Sequence, residues 1–221
     1  MQEEHRSWAK PAIRKALGLY AVTDRSFRKG QSLYEQVEAC LQGNATMIQL
    51  REKNLDTSAF LASAREIKQL TDMYHVPFII NDNVMVARLV NADGVHIGQD
   101  DMDIKTARAL LGEEKIIGVS AHNIEEALLA EKNGADYIGV GAVFGTSTKS
   151  NTIPVSYEQL SAICNAVTIP VVAIGGICED NIEQLSGSGI SGVAVVSGIF
   201  AAEDIKQQTK TMYTKVINMI V

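Results

Sequence analysis

From Gly18 onward, short apolar runs alternate with longer stretches in which apolar residues recur every three or four positions. The runs predict strands at 18–24 (GLYAVTD), 47–52 (MIQLRE), 77–80 (PFII), 94–97 (GVHI), 116–121 (IIGVSA), 137–144 (YIGVGAVF), 170–176 (PVVAIGG) and 192–200 (GVAVVSGIF). The stretches between them predict helices. Residues 57–74 show this best, with apolar side chains at 60, 61, 64, 67, 70 and 73. The segment 32–43 starts at Ser32 and stops at Gly43, and 123–134 opens on Asn123 and leaves through Gly134, which are helix start and stop signals. Further helices fall at 84–90, 104–111, 156–167, 180–185 and 202–220.

The strands are near-continuous apolar runs, as expected when both faces are covered. Strand–helix alternation implies parallel pairing through crossovers. Eight such units, repeating about every 25 residues, predict a (β/α)8 barrel, the TIM-barrel architecture, spanning 18–221 as one catalytic domain. A doubly wound sheet is the alternative, because periodicity does not show closure. Residues 1–17, amphipathic and carrying Trp8, read as a short helical extension packed on the barrel.

Composition narrows the function classes. The net charge of −6 argues against broad nucleic-acid binding but leaves room for a local cationic site for a small anion. Cys40, Cys164 and Cys178 lack CxxC spacing and fit neither a disulfide framework nor a zinc site. The N-terminus has no apolar signal-peptide core, and no stretch approaches a membrane span. The expectation is a soluble, cytoplasmic protein acting on small molecules, with no membrane or nucleic-acid partner; whether it forms a homo-oligomer is not readable.

In such barrels the chemistry collects at the C-terminal strand ends. Those ends carry Gln49, Arg51, Glu52 and Lys53; Asn81 and Asp82; Gln99, Asp100 and Asp101; Ser120 and His122; Thr146, Ser147, Thr148 and Lys149; Gly175 and Gly176; and Val196, Ser197 and Gly198. Asp82 and Asp101 end neighbouring units, so they either meet as ligands of a hard cation such as Mg²⁺ or each cap the following helix. Arg51 and Lys53 alternate toward one side, as site cations or as a solvated edge. GTSTK suits oxyanion binding without being a P-loop. The glycines after the seventh and eighth strands either admit a phosphate to backbone N–H groups or simply turn the chain. His96 reads as a core or lining residue, and His122 is open. A carboxylate pair with nearby cations suits a diphosphate bound with Mg²⁺, and the late glycine turns suit a separate monophosphate.

The segments QLREK (49–53), IND (80–82), GVHIGQDD (94–101), GVS (118–120), GADYIGVG (134–141), TSTK (146–149), IPVVAIGGI (169–177) and GVAVVSGI (192–199), in this order, resemble the thiamine-phosphate synthase (thiamine-phosphate pyrophosphorylase) family across about Leu19–Ile199. The resemblance implies a transferase that joins 4-amino-2-methyl-5-(diphosphooxymethyl)pyrimidine to thiazole phosphate, releasing pyrophosphate through a Mg²⁺-assisted dissociative step. It implies that Gln49, Arg51, Lys53 and Asn81 contact the pyrimidine diphosphate, and Ser120 and Lys149 its phosphates. Arg51, Lys53, Ser120 and Lys149 would be the catalytic set. Asp82 and Asp101 would hold Mg²⁺, and Thr146, Ser147, Thr148, Gly176, Val196 and Ser197 would bind the thiazole phosphate. Ala142 and Gly145 stand where the family often has proline. A thiazole tautomerase relative, a phosphosugar epimerase or isomerase, and a non-catalytic thiamine-pathway sensor are the rival readings.

Overall fold

The computed structural model describes residues 10–27, 30–145 and 154–220. Eight parallel strands close in chain order: β1 Leu19–Val22, β2 Met47–Leu50, β3 Phe78–Asn81, β4 Gly94–Ile97, β5 Ile116–Ala121, β6 Tyr137–Val140, β7 Val171–Ile174 and β8 Gly192–Val195. β8 pairs back onto β1, Ala21 opposite Val195, so no sheet edge is left. The crossovers carry α2 Leu33–Gln42, α3 Thr57–Tyr74, α4 Val84–Leu89, α5 Ile104–Leu111, α6 Ile124–Lys132 and α7 Tyr157–Ala166. A 3₁₀ turn, Ile182–Leu185, spans the seventh, and α8 Ser197–Phe200 and α9 Ile205–Met219 close the chain. The barrel expectation holds, and the doubly wound alternative falls with closure.

The two-residue period of each strand divides the core. Leu19, Ala21, Ile48, Leu50, Phe78 and Ile80 pack outward under the helices. Tyr20, Val22, Met47, Ile79, Tyr137, Val172 and Ala194 form a second cluster in the barrel interior. Ile13, Ala16 and Leu17, from and just after α1 Lys10–Ala16, join that inner cluster, and Arg14 Nη1 donates to Ser191 Oγ at 2.7 Å. The leading helix thus packs at the N-terminal mouth, since Ser191 immediately precedes β8.

Local signals place the helices well. Ser32 and Ser156 form capping boxes with Glu35 and Gln159, and Asn123 accepts from Glu126 N. The apolar run 192–200 is where the pattern misled: only Gly192–Val195 is strand, and the chain turns at Val196 into α8. A short apolar run buried on all sides does not distinguish strand from helix by period. The runs 18–24 and 137–144 likewise give four-residue strands, with their polar or glycine ends left as loops at the mouth.

Candidate active site

The strand ends converge on a cavity of ≈ 200 Å³ at the C-terminal mouth. One wall is side chains: Gln49, Arg51 and Lys53 from β2, Asn81 and Asp82 from β3, Asp101 from the loop after β4, Ser120 and His122 from β5. The other wall is mostly small or apolar: Gly139, Gly141, Ala142, Ile174, Gly175, Gly176, Val196 and Ser197.

Alternation continues past the end of β2. Arg51 and Lys53 line the cavity, while Glu52, its side chain 2% exposed, turns the other way. There Arg25 Nε donates to both Glu52 carboxylate oxygens at 2.7 and 2.6 Å, and Arg25 Nη2 to Ser63 Oγ at 3.1 Å. Arg51 is fixed twice: its backbone N–H donates to Thr23 Oγ1 at 3.0 Å and its guanidinium to Asp24 Oδ2 at 3.2 Å. Arg51 is therefore a built part of the mouth, whereas the Lys53 side chain remains 51% exposed.

Neither acidic residue is a helix cap. Asn83 caps α4 by accepting from Val86 N, and Asp103 caps α5 by accepting from Thr106 N. Asp82 instead takes a left-handed backbone, φ +61°, a conformation Asp tolerates better than most residues, while its N–H extends the ladder to His96 O at 2.8 Å. Its carboxylate is ion-paired with Lys53 Nζ. Asp101 accepts from Gly98 N at 2.7 Å, which folds the loop back over the end of β4. Burial pushes the Asp101 carboxyl up, and the adjacent Asp82 carboxylate adds to this against the opposing Gly98 N–H and Lys53 ammonium. Two carboxylates in such proximity suit a hard cation that draws its remaining oxygens from water and substrate. Among the described residues no group of three or more His, Cys, Asp or Glu side chains is placed to hold a metal ion.

Beneath these groups, His96 sits inside the barrel with Nε2 3.1 Å from Ser120 Oγ. Gln99 does not line the cavity; its Nε2 donates to the Ser120 carbonyl at 2.5 Å. His122 is held through Nδ1 and its backbone N, both 2.9 Å from Glu126 Oε2. Burial alone would raise the Glu126 carboxyl, but those hydrogen bonds from His122 hold it below its ordinary value.

On the glycine wall the turn reading holds. Gly175 (φ +105°) and Gly176 (φ +66°) turn the chain through left-handed backbone, and both line the cavity. A Cβ on Gly176 would lie 2.3 Å from Gly145 O. Asn181 secures this turn, its Nδ2 donating to Gly176 O and its Oδ1 accepting from Cys178 N, each at 2.9 Å. α8 begins beside it with no side-chain cap. Thr146, Ser147, Thr148 and Lys149 lie outside the described residues.

Asp24, Asn181, Tyr20 and Tyr137 were not singled out by the sequence. For Asp24 the signal was present: GLYAVTD, like the two acid-tipped units, ends a strand on a carboxylate.

Acids, cations and glycine turns gathered at one barrel mouth define a phosphate-handling (β/α)8 enzyme. Residues 19–199 match the family described as thiamine monophosphate synthase. The chain is 51% identical over 195 residues to thiamine-phosphate synthase of Clostridium acetobutylicum, covering 88% of this chain and 92% of that one. It is 46% identical over 207 residues to thiamine-phosphate synthase 2 of Streptococcus pneumoniae, covering 94% and 99%. The solved structure of thiamine phosphate pyrophosphorylase from Pyrococcus furiosus is similar over 95% of this chain and 100% of that one, with a TM-score of 0.87 and 40% identity. The chain belongs to the thiamine monophosphate synthase family and is a transferase of thiamine biosynthesis that forms thiamine phosphate.

Proposed function

We propose that the two walls of the cavity divide the reaction's two substrates. The side-chain wall takes the pyrimidine diphosphate: Gln49 and Asn81 address the ring, and Arg51, Lys53, Ser120 and Lys149 the diphosphate. The glycine wall, with Gly176, Val196, Ser197 and the segment Thr146–Thr148, takes the thiazole phosphate. Glycine turns and an uncapped helix start leave backbone N–H groups for phosphate oxygens.

Asp82 and Asp101 would hold Mg²⁺. Bound there, the cation supplies neutralisation of charge on the departing diphosphate. Arg51, oriented by Asp24, and Lys53 add fixed positive charge where negative charge grows, in a cavity that needs no reorganisation to present it. The electron-rich aminopyrimidine expels diphosphate, and the thiazole nitrogen captures the resulting cation in line. The small residues Gly139, Gly141 and Ala142 leave room between the walls for the two rings to meet. Among the described residues no helix is long and apolar enough to cross a membrane, and we place the enzyme in the cytoplasm, where its three unpaired cysteines stay reduced.

The observation carrying this reading is the Lys53–Asp82–Asp101 group beside Arg51, set across one cavity from the Gly175–Gly176 turn. The test is a coupled assay with both substrates and Mg²⁺. Thiamine phosphate and pyrophosphate should appear in equal amounts and stop when the metal is chelated. Binding of both substrates without product would favour the sensor reading, and failure to bind the pyrimidine diphosphate would favour a tautomerase.

A further inference from the structure

The barrel interior holds an unbroken chain of polar contacts under the cavity. Gln49 Nε2 donates to Tyr20 Oη at 2.6 Å, and Tyr20 Oη lies 2.9 Å from Tyr137 Oη. Tyr137 Oη lies 3.0 Å from His96 Nδ1, and His96 Nε2 lies 3.1 Å from Ser120 Oγ. The two ends, Gln49 and Ser120, line the substrate cavity together with Tyr20 and His96, while Tyr137 lies behind them and both tyrosines are almost wholly buried. The sequence makes space for the middle of this chain with strand glycines: a Cβ on Gly118 would lie 2.0 Å from Tyr137 Cζ, and one on Gly139 3.1 Å from His96 Cε1.

With Gln49 Nε2 as the donor and a neutral His96, donor and acceptor capacity sets the direction of each further bond. Tyr20 Oη accepts from the Gln49 amide, so its own hydrogen must go to Tyr137 Oη, its one other partner among the described residues. Tyr137, having accepted, donates to His96 Nδ1. A neutral imidazole accepting at Nδ1 carries its proton on Nε2 and donates it to Ser120 Oγ. Ser120 is left with a hydroxyl hydrogen to give to a ligand, and Gln49 with Oε1 to accept from one. Burial keeps both phenols protonated by pushing their pKa values up. Reversing any one link would require the Gln49 amide, both phenols and the imidazole to reverse together, because an intermediate state leaves a buried donor without an acceptor.

We propose that Tyr20, Tyr137 and His96 are positioning residues that polarise the cavity floor, presenting Gln49 as an acceptor at one end and Ser120 as a donor at the other. The complementary ligand has a donating amino group at one end and an anionic oxygen at the other. An aminopyrimidine diphosphate has both. This assignment of ends rests on the substrate division above; the direction of the chain does not.

Two measurements test it separately from turnover. In ¹⁵N spectra of the wild-type enzyme, the His96 ring should be a single Nε2–H tautomer; an Nδ1–H tautomer or a doubly protonated ring overturns the chain. Tyr137→Phe removes the middle link. It should raise KM for the pyrimidine diphosphate about tenfold, leave KM for thiazole phosphate unchanged and give a mixed His96 tautomer. Equal changes in both KM values, or none, overturn the positioning role. Should Tyr137→Phe fail to fold, the wild-type tautomer alone decides. An inactive wild type with the expected tautomer would overturn the functional reading and leave the chain standing.

Discussion

The two walls of the cavity are made of different material. Between β2 and β5 the wall is charged and polar side chains, each held by a neighbour: Arg51 by Asp24, Lys53 by Asp82, Asp101 by Gly98 N–H. Between β7 and β8 it is small and apolar, with bare backbone where a side chain has no room, as at Gly176 against Gly145 O. On the first wall chemistry and folding are separable, because the functional groups stand on the rim of strands that pack without them. On the second they are one property, because the glycine that would admit a phosphate also lets the loops close on each other.

The largest effect should come from cutting the first wall. Asp82→Ala is expected to lower turnover more than about a hundredfold, the scale reached when support for a metal site is lost, while the melting temperature stays within about 3 °C. Steady-state rates and a thermal melt on the same preparation check both halves. Loss of fold would mean that Asp82 supports the β3–β4 mouth, and the separation of chemistry from folding would fail. The second wall should behave in the opposite way. Gly176→Ala forces a Cβ into left-handed backbone and against a carbonyl, and is expected to cost about 1–3 kcal/mol of stability together with a raised KM for thiazole phosphate. Denaturant unfolding and the two KM values decide it. A smaller effect sharpens the first wall further: Asp24→Ala frees Arg51 and should raise KM for the pyrimidine diphosphate about threefold to tenfold, with KM for thiazole phosphate unchanged.

The sequence was most readable where a residue's type announces its job. Strand ends carrying Arg51, Lys53, Asp82 and Asp101 placed four charged groups at one mouth, and all four line one cavity. Caps such as Ser32 and Asn123 could be read because the bonds they make are local. What stayed hidden depends on long-range closure. Tyr20 and Tyr137 are 117 positions apart and meet only because β1 and β6 face each other across a closed barrel. In sequence each is an ordinary aromatic at the start of an apolar run. The capping alternative for Asp82 and Asp101 could not be excluded by spacing either. It fell because Asn83 and Asp103, one and two residues further on, make those caps. The β8 run misled because Val196 turns a continuous apolar stretch into a helix start.

The finest test of the side-chain wall is one in which losing function should strengthen the fold. The folded Asp101 carboxyl has a raised pKa, first through burial and then through its neighbour Asp82. A raised value means that the folded state holds this proton more tightly than the unfolded chain does. At neutral pH, well above the unfolded value, this difference therefore destabilises the metal-free fold. In acid, below the unfolded value, both states are protonated and the penalty is gone. Asp101→Asn removes the charge but keeps an oxygen for Gly98 N–H, so the metal-free variant should melt slightly above wild type at pH 7. The gap should close as the pH falls through the carboxylate range, which cancels changes at other acids because wild type and variant are compared at each pH. It should also close at pH 7 when Mg²⁺ is added, since a cation between Asp82 and Asp101 relieves the same repulsion in wild type alone. A variant that melts below wild type at neutral pH would show that the Asp101 carboxylate stabilises the β4 loop, and would weaken the case for a cation there.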